Sequence, residues 1–515
     1  MPANRRSPFA TAKSHGGPMR ALYVTSEIYP LTKTGGLADV SSALPGALRQ
    51  LGVDSRVLLP GYRQALERAP NLTEIAYLGD FLGCGETRLL ETRLPKTQVP
   101  VWLIDCPALF DRPGGPYQDE HGEEWQDNAL RFSLLSRVAA AIADGANGEW
   151  RPDIVHANDW HAGLVPLLLS EQTKVGTVFT IHNLAYQGLF NLSQCESLGL
   201  SPADFKHLEF YGRMSFLKAG ISASDAVTTV SPTYASEVLS PEHGCGLDGL
   251  LRERADCFSG ILNGADYGLW DPGIDPHLPR NYTVRSLGSK KACKSAVQRE
   301  LGLECEPDAP LFAFMSRLAH QKMPDVVLES LPRLLDDGAQ FALVAEGDGS
   351  YQDAFRQLAK RYPGRAAVHI GYDEGKAHRL LAGSDMLIHP SRFEPCGLVP
   401  MYAMRYGTLP IVRKIGGLAD SVIDVSPEKG RLQSGTGFVF ENSNSADLLA
   451  CIRRALDCYR QPISWHRLQV NAMKQDFSWE RAARNYLDLY HSLMGSRMPI
   501  QTDVPSKKQK RHALT

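Results

Sequence analysis

ALYVTSEIYPLTKTGGLAD, residues Ala21 to Asp39, reads as a buried strand, a loop and the start of a helix. Ala21–Thr25 is an apolar run of strand length, and the segment after Asp39 has helical periodicity. Between them, Gly35 and Gly36 let the backbone come close to a ligand. The helix start offers N–H groups and a positive dipole end to an anion, and Lys33 adds a movable charge. A loop at the C-terminal end of a strand is where open α/β sheets bind ligands. The stretch can therefore cradle a diphosphate or a sugar, although an ordinary βα turn with a surface lysine reads the same way. A P-loop is excluded, because Glu27 and Thr32 stand where its glycines belong. A dinucleotide fingerprint is also absent, because Gly347-Asp-Gly349 has no third glycine.

The same pattern recurs downstream. Lys33-Thr-Gly-Gly-Leu-Ala-Asp39 is echoed by Lys414-Ile-Gly-Gly-Leu-Ala-Asp420, again after a strand candidate. The echo suggests two equivalent sheet-top loops, one per domain, facing each other across a cleft. Further strand candidates are Arg56–Leu59, Val99–Ile104, Ile154–Ala157, Thr177–Ile181 and Ala226–Val230, then Leu311–Met315, Phe341–Val344, Ala367–Ile370, Met386–His389 and Leu409–Val412. Short apolar runs with helices between them read as buried parallel strands. The fold class is α/β: two doubly wound, Rossmann-like domains facing across a cleft. The seam falls near Asn263–Pro279, a stretch crowded with Gly, Pro, Asp and Asn. The expected division is a disordered extension over 1–18, a first domain over 19–265 and a second over 266–478. A final helix over 479–495 should pack back on the first domain, followed by a disordered basic tail over 496–515.

The 515 residues are 43% hydrophobic and 22% charged with a net charge of -2, so each half can bury a core. That balance gives no electrostatic case for nucleic acid or an acidic membrane and suits a neutral polymer. No apolar run approaches the ~18 residues of a membrane span. The ten cysteines form no CxxC pair and no zinc-spaced cluster, which points to reduced thiols in a cytoplasmic enzyme.

The motifs resemble those of the bacterial glycogen synthases and plant starch synthases, from about Met19 to Leu493. The first carrier is Lys33–Asp39, which follows Ser26-Glu27. Others are His156-Ala-Asn-Asp-Trp-His-Ala-Gly163, Thr180-Ile-His-Asn-Leu-Ala-Tyr-Gln-Gly188, Ser231-Pro-Thr-Tyr234, Leu262-Asn-Gly-Ala-Asp266, Ser316-Arg-Leu-Ala-His-Gln-Lys322 and Pro390-Ser-Arg-Phe-Glu-Pro-Cys-Gly-Leu398. The resemblance implies a retaining glucosyltransferase of GT-B fold, moving glucose from ADP-glucose to the non-reducing end of an α-1,4-glucan. It assigns His182, Arg317, Lys322 and Glu394 to catalysis. It assigns Lys33, Gly35, Gly36, Asp39, Asp159, Asn263, Cys396, Gly397 and Leu398 to substrate binding. No metal and no cofactor is implied; ADP-glucose and glycogen are the partners, with oligomeric state left open.

Read without the family, His182 could be a satisfied core histidine, and Asp159 and His161 could cap a helix. Arg317 and Lys322 could be two solvated cations. The chain departs from the family at Met323-Pro324, where glycine usually follows the lysine. It departs again at Val399-Pro400, where Thr-Gln is usual, and at Ile415, where threonine is usual. These changes bear on donor affinity and nucleotide preference. They also motivate two alternatives: a same-fold transferase with another donor or acceptor, and a catalytically weak glucan-binding protein.

Overall fold

The computed structural model describes residues 17–148, 150–169, 173–371, 373–425 and 434–497. Apart from 17–18 and 496–497, the expected extension and tail lie outside the described residues.

The first sheet has nine strands. Their order is Phe258–Gly260, Ala226–Thr229, Gly176–Ile181, Ile154–Asn158, Arg20–Val24, Asp54–Pro60, Pro100–Asp105, Glu86–Arg93 and Thr73–Asp80. The first seven run parallel. The last two add an antiparallel edge that the sequence reading missed. Gly176–Ile181 is buried at every residue, as a strand covered on both faces must be.

The second sheet has six parallel strands: Ala366–Ile370, Gln340–Ala345, Leu311–Phe314, Met386–His389, Leu409–Arg413 and Phe438–Phe440. In chain order this is 3-2-1-4-5-6, the doubly wound arrangement. Each sheet has a switch point where the winding reverses. In the first it lies between Arg20–Val24 and Ile154–Asn158; in the second, between Leu311–Phe314 and Met386–His389. The loops leaving these four strands carry most of the sequence motifs.

Helix Trp479–Arg497 packs against helix Gly36–Gln50 of the first domain. Trp479, Ala482, Ala483, Tyr486 and Tyr490 belong to that domain's core. The chain crosses between domains twice, side by side. Ala265 N–H donates to Phe477 O at 2.6 Å, and Ala265 bridges Ser478. Gly264 is needed at this crossing, since a Cβ there would lie 2.7 Å from Trp479. Among the described residues, no helix is long and apolar enough to cross a membrane.

The two copies of the glycine motif are engaged differently. The first opens the fifteen-residue helix Gly36–Gln50. The second opens only the six-residue helix Gly416–Ser421, which packs on helix Pro232–Glu237 of the first domain. The copies are thus not equivalent, contrary to the expectation from the echo.

Candidate active site

The second-domain half of the cleft is built on a buried ion pair. Lys322, at the end of a short turn His320–Lys322, donates to Glu394 Oε2. Ser391 Oγ donates to the same oxygen at 2.8 Å. The two loops are zipped together: Gln321 Nε2 donates to Phe393 O (2.9 Å), and Arg392 N–H donates to Gln321 O (2.8 Å). Burial pushes the Glu394 carboxyl up, but Lys322 and the nearby His389 outweigh it. The group is held well below the usual carboxylate range. Glu394 is therefore a fixed anion that orients Lys322. Arg317 is exposed on the loop after Leu311–Phe314 and has no ion-pair partner among the described residues.

Gly397 sits at φ +82°, ψ +71° and starts helix Leu398–Arg405. That left-handed geometry suits glycine, and the helix start presents main-chain N–H groups of the kind that bind anions. Pro400 falls in the first turn, where the missing N–H has no intrahelical partner to lose. Cys396 is buried, and its thiol is pushed up to about 12 by burial. It stays protonated and is no nucleophile. Asn263, from the interdomain crossing, pulls the thiol the other way, but by less than burial raises it. The Asn263 Oδ1 is buried with no hydrogen-bond partner among the described residues. A buried unpaired acceptor calls for a donor.

The first-domain half is built on Asp159 and His182. His182 donates its main-chain N–H to Asp159 Oδ1 (2.7 Å), and Asn183 N–H reaches the same oxygen at 3.4 Å. Asp159 therefore anchors the His182 loop rather than capping a helix: the turn it precedes has no side-chain cap. Asn158 Nδ2 donates to Val24 O and His156 O, which turns its Oδ1 toward His182 Nε2 at 3.0 Å. Nε2 must then carry the proton, and Nδ1 is left as an acceptor. Burial pushes the His182 imidazole down to about 3, so it is neutral at physiological pH. Burial pushes Asp159 up to about 7 against the pull of its two amide donors.

The Lys33 loop is held from within its domain. Lys33 pairs with Asp39 at 2.7 Å, and burial pushes the Asp39 carboxyl up despite that lysine. Glu27 Oε2 accepts Thr34 N–H (2.5 Å) and Gly35 N–H (2.9 Å), while Tyr117 OH donates to its other oxygen at 2.5 Å. The amides expected to meet an anion are those of the helix start at Gly36. Glu27 holds the two just before them, so the loop's offer to a ligand is Lys33, that helix start and the open space beside Gly35 and Gly36. The charge of Glu374, in the second domain, reaches both Tyr29 and Asp39, so this loop faces the cleft.

The chain matches the starch synthase catalytic domain family over residues 20–253 and the glycosyl transferases group 1 family over 303–475. It is 50% identical over 491 residues to a glycogen synthase of Burkholderia thailandensis, covering 94% of this chain and 92% of that one. A glycogen synthase of Paramagnetospirillum magneticum is 48% identical over 485 residues, covering 93% and 98%. The chain belongs to the glycogen synthase family. Among solved structures, the catalytic domain of starch synthase IV from Arabidopsis thaliana, bound to ADP and acarbose, matches with a TM-score of 0.84. It is 32% identical and covers 93% of this chain and 100% of that one. Sucrose-phosphate synthase from Thermosynechococcus elongatus, 16% identical with a TM-score of 0.58, shares the fold.

The protein is thus a hexosyltransferase of GT-B fold and a glycogen synthase. Cys396, Gly397, Leu398, Asn263, Lys322 and Glu394 gather into one half-site. Asp159 and His182 form the other, and Lys33, Asp39, Gly35 and Gly36 share the loop and helix start that follow Arg20–Val24. Sequence reasoning missed Asn158, Glu27 and Tyr117 as members. Asn158 lay inside the His156–Gly163 motif, directly before Asp159. Glu27 lay inside the opening motif, where a carboxylate two residues past a strand can turn back onto the loop. Tyr117 gave no signal, because only the fold brings it to Glu27.

Proposed function

We propose that this enzyme transfers glucose from ADP-glucose to the non-reducing end of an α-1,4-glucan, releasing ADP with retention at the anomeric carbon. The observation that carries the reading is the contrast between the two half-sites. A diphosphate suits the cationic one: Arg317, the braced Lys322, and the N–H groups of Gly397 and Leu398 at a helix start, with Lys33 approaching from the other domain. A neutral sugar suits the other, where His182 Nδ1 and Asp159 offer hydrogen-bonding groups, with the unpaired Asn263 Oδ1 offered from the interdomain crossing. The ADP bound to the Arabidopsis relative supports ADP as the nucleotide. Its bacterial relatives and ten unbridged cysteines favour the cytoplasm.

Retention by double displacement would need a free carboxylate under the anomeric carbon. Asp159 is tied to two main-chain amides, and Glu394 to Lys322 and Ser391. We therefore favour front-face displacement. The bond from the anomeric carbon to the phosphate oxygen breaks, and a bond to the acceptor hydroxyl oxygen forms on the same face. The hydroxyl proton passes to the departing phosphate. Arg317, Lys322 and Lys33 stabilise the charge growing on the diphosphate, and orientation supplies much of the rest. Neither a metal nor a cofactor enters this scheme.

Purified protein is expected to release ADP from ADP-glucose only when glycogen is present. Equal turnover with UDP-glucose would overturn the donor assignment, and equal release without glycogen would overturn the acceptor assignment.

A further inference from the structure

The segment Ser231–Glu237 of the first domain has no place in the scheme above, yet it grips both donor-side loops of the second domain. Ser231 Oγ donates to Pro395 O at 2.6 Å. Thr233 donates its N–H and Oγ1 to the Asp420 carboxylate at 2.8 and 2.7 Å. Glu237 Oε1 accepts the Gly416 N–H at 2.9 Å.

The loop that Glu237 holds has no slack. Gly416 lies at φ +44°, and a Cβ on it would sit 1.9 Å from Glu394 O. A Cβ on Gly417 would sit 2.1 Å from Cys396 O, and Gly417 N–H donates to Glu394 O at 3.0 Å. Any movement of Gly416 is therefore transmitted to the main chain of Glu394–Cys396. In the first domain the matching task is done locally, by Glu27 on Thr34 and Gly35. The second copy of the motif takes its carboxylate from the other domain.

We infer that Glu237 is a positioning residue for the donor loop. By holding Gly416 across the domain boundary, it makes the placement of Glu394–Leu398 depend on engagement of the two domains. The inference rests on the reading that the donor lies against Glu394, Gly397 and Leu398. Glu237 touches no reacting atom, so it acts through Gly416 and the Glu394 carbonyl. Its second oxygen, Oε2, is buried without a hydrogen-bond partner among the described residues. One oxygen thus does the holding.

The test is steady-state kinetics on full-length Glu237→Ala and Glu237→Gln, varying ADP-glucose and glycogen separately, with a thermal melt of each. Glu237→Ala is expected to raise the KM for ADP-glucose on the order of fivefold, the worth of one hydrogen bond, with the KM for glycogen unchanged. Glu237→Gln keeps an acceptor oxygen for Gly416 and should return to within about twofold of wild type. An unchanged donor KM in Glu237→Ala overturns the inference. So does a fall in kcat that tracks a lowered melting temperature with both KM values unchanged, which would mark a merely structural residue. Failure of Glu237→Gln to rescue also overturns it. Lys322→Ala, run in parallel, is expected to lose on the order of 10²-fold in turnover. If Lys322→Ala is as active as wild type, the donor-site reading falls and takes the inference with it. If only the Glu237 variants are unaffected, that reading stands and the inference alone fails.

Discussion

Asp159 bears both backbone and electrostatic strain. Its φ of +54° with ψ of -179° lies near a region that is essentially glycine's, at a cost of about 1–3 kcal/mol. Burial also lifts its carboxyl from 3.8 to about 7. The native state therefore binds this proton more tightly than the unfolded chain. The associated stability is fully present below about pH 4 and is lost as pH rises through about 7, a change of at most about 4 kcal/mol. Asp159→Asn keeps an acceptor oxygen for His182 N–H and Asn183 N–H without the charge. It should melt higher than wild type at pH 8, with the gap closing toward pH 4. Thermal melts across that range check this, and a gap independent of pH would refute it. The residue's identity was legible in the motif around Trp160. Its burial was not, because desolvation depends on what other strands bring alongside.

The departures from the family pattern resolve at the scale of elements. Met323 caps the start of helix Pro324–Asp336 at φ +53°, a conformation glycine adopts freely. Its side chain is fully buried in the second-domain core. Restoring the glycine relieves about 1–2 kcal/mol of left-handed strain but removes a buried methionine worth about 2–5 kcal/mol. It also frees the unfolded chain by roughly a further 0.5–1 kcal/mol. Met323→Gly should therefore destabilise the protein by about 0.5–5 kcal/mol in urea unfolding, and a stabilised variant would contradict the packing account. Ile415 likewise lies buried in the second-domain core. Most parallel strands were legible because each is a nearly continuous apolar run; the parallel edge strands Phe258–Gly260 and Phe438–Phe440 were missed, being only three residues long. The antiparallel pair Thr73–Asp80 and Glu86–Arg93 was missed too, because charged, exposed residues interrupt its apolar positions.

Across the whole molecule, the chain's last described helix completes the first domain's core. Tyr490 is fully buried there, and its hydroxyl lies 2.7 Å from His156 Nδ1, on the strand that leads to Asn158 and Asp159. Tyr490→Ala should cost about 3–5 kcal/mol, as other large aromatic truncations do. Urea unfolding followed by first-domain tryptophan fluorescence checks this, and a cost under about 1 kcal/mol would show that the helix is dispensable. The helix's apolar periodicity was visible in sequence. Its docking on the first domain was expected; its contact with His156 was not, because residues more than three hundred positions apart meet only in the fold.

The sequence alone determined the α/β class, the strand-loop-helix units, and the loops that carry the cationic pair, Glu394 and His182. These follow from local periodicity and from residue types at fixed spacing. Only the tertiary structure decided which strands adjoin, and hence that the motif loops meet at two switch points. It also decided that the two glycine motifs are unequal, since the second depends on Glu237 from the other domain. The physical reason is that hydrogen-bond partners and desolvation are properties of neighbours in space. The opening stretch Ala21–Asp39 carries its own carboxylate, Glu27, and so reads correctly as a unit. Its echo at Lys414–Asp420 does not.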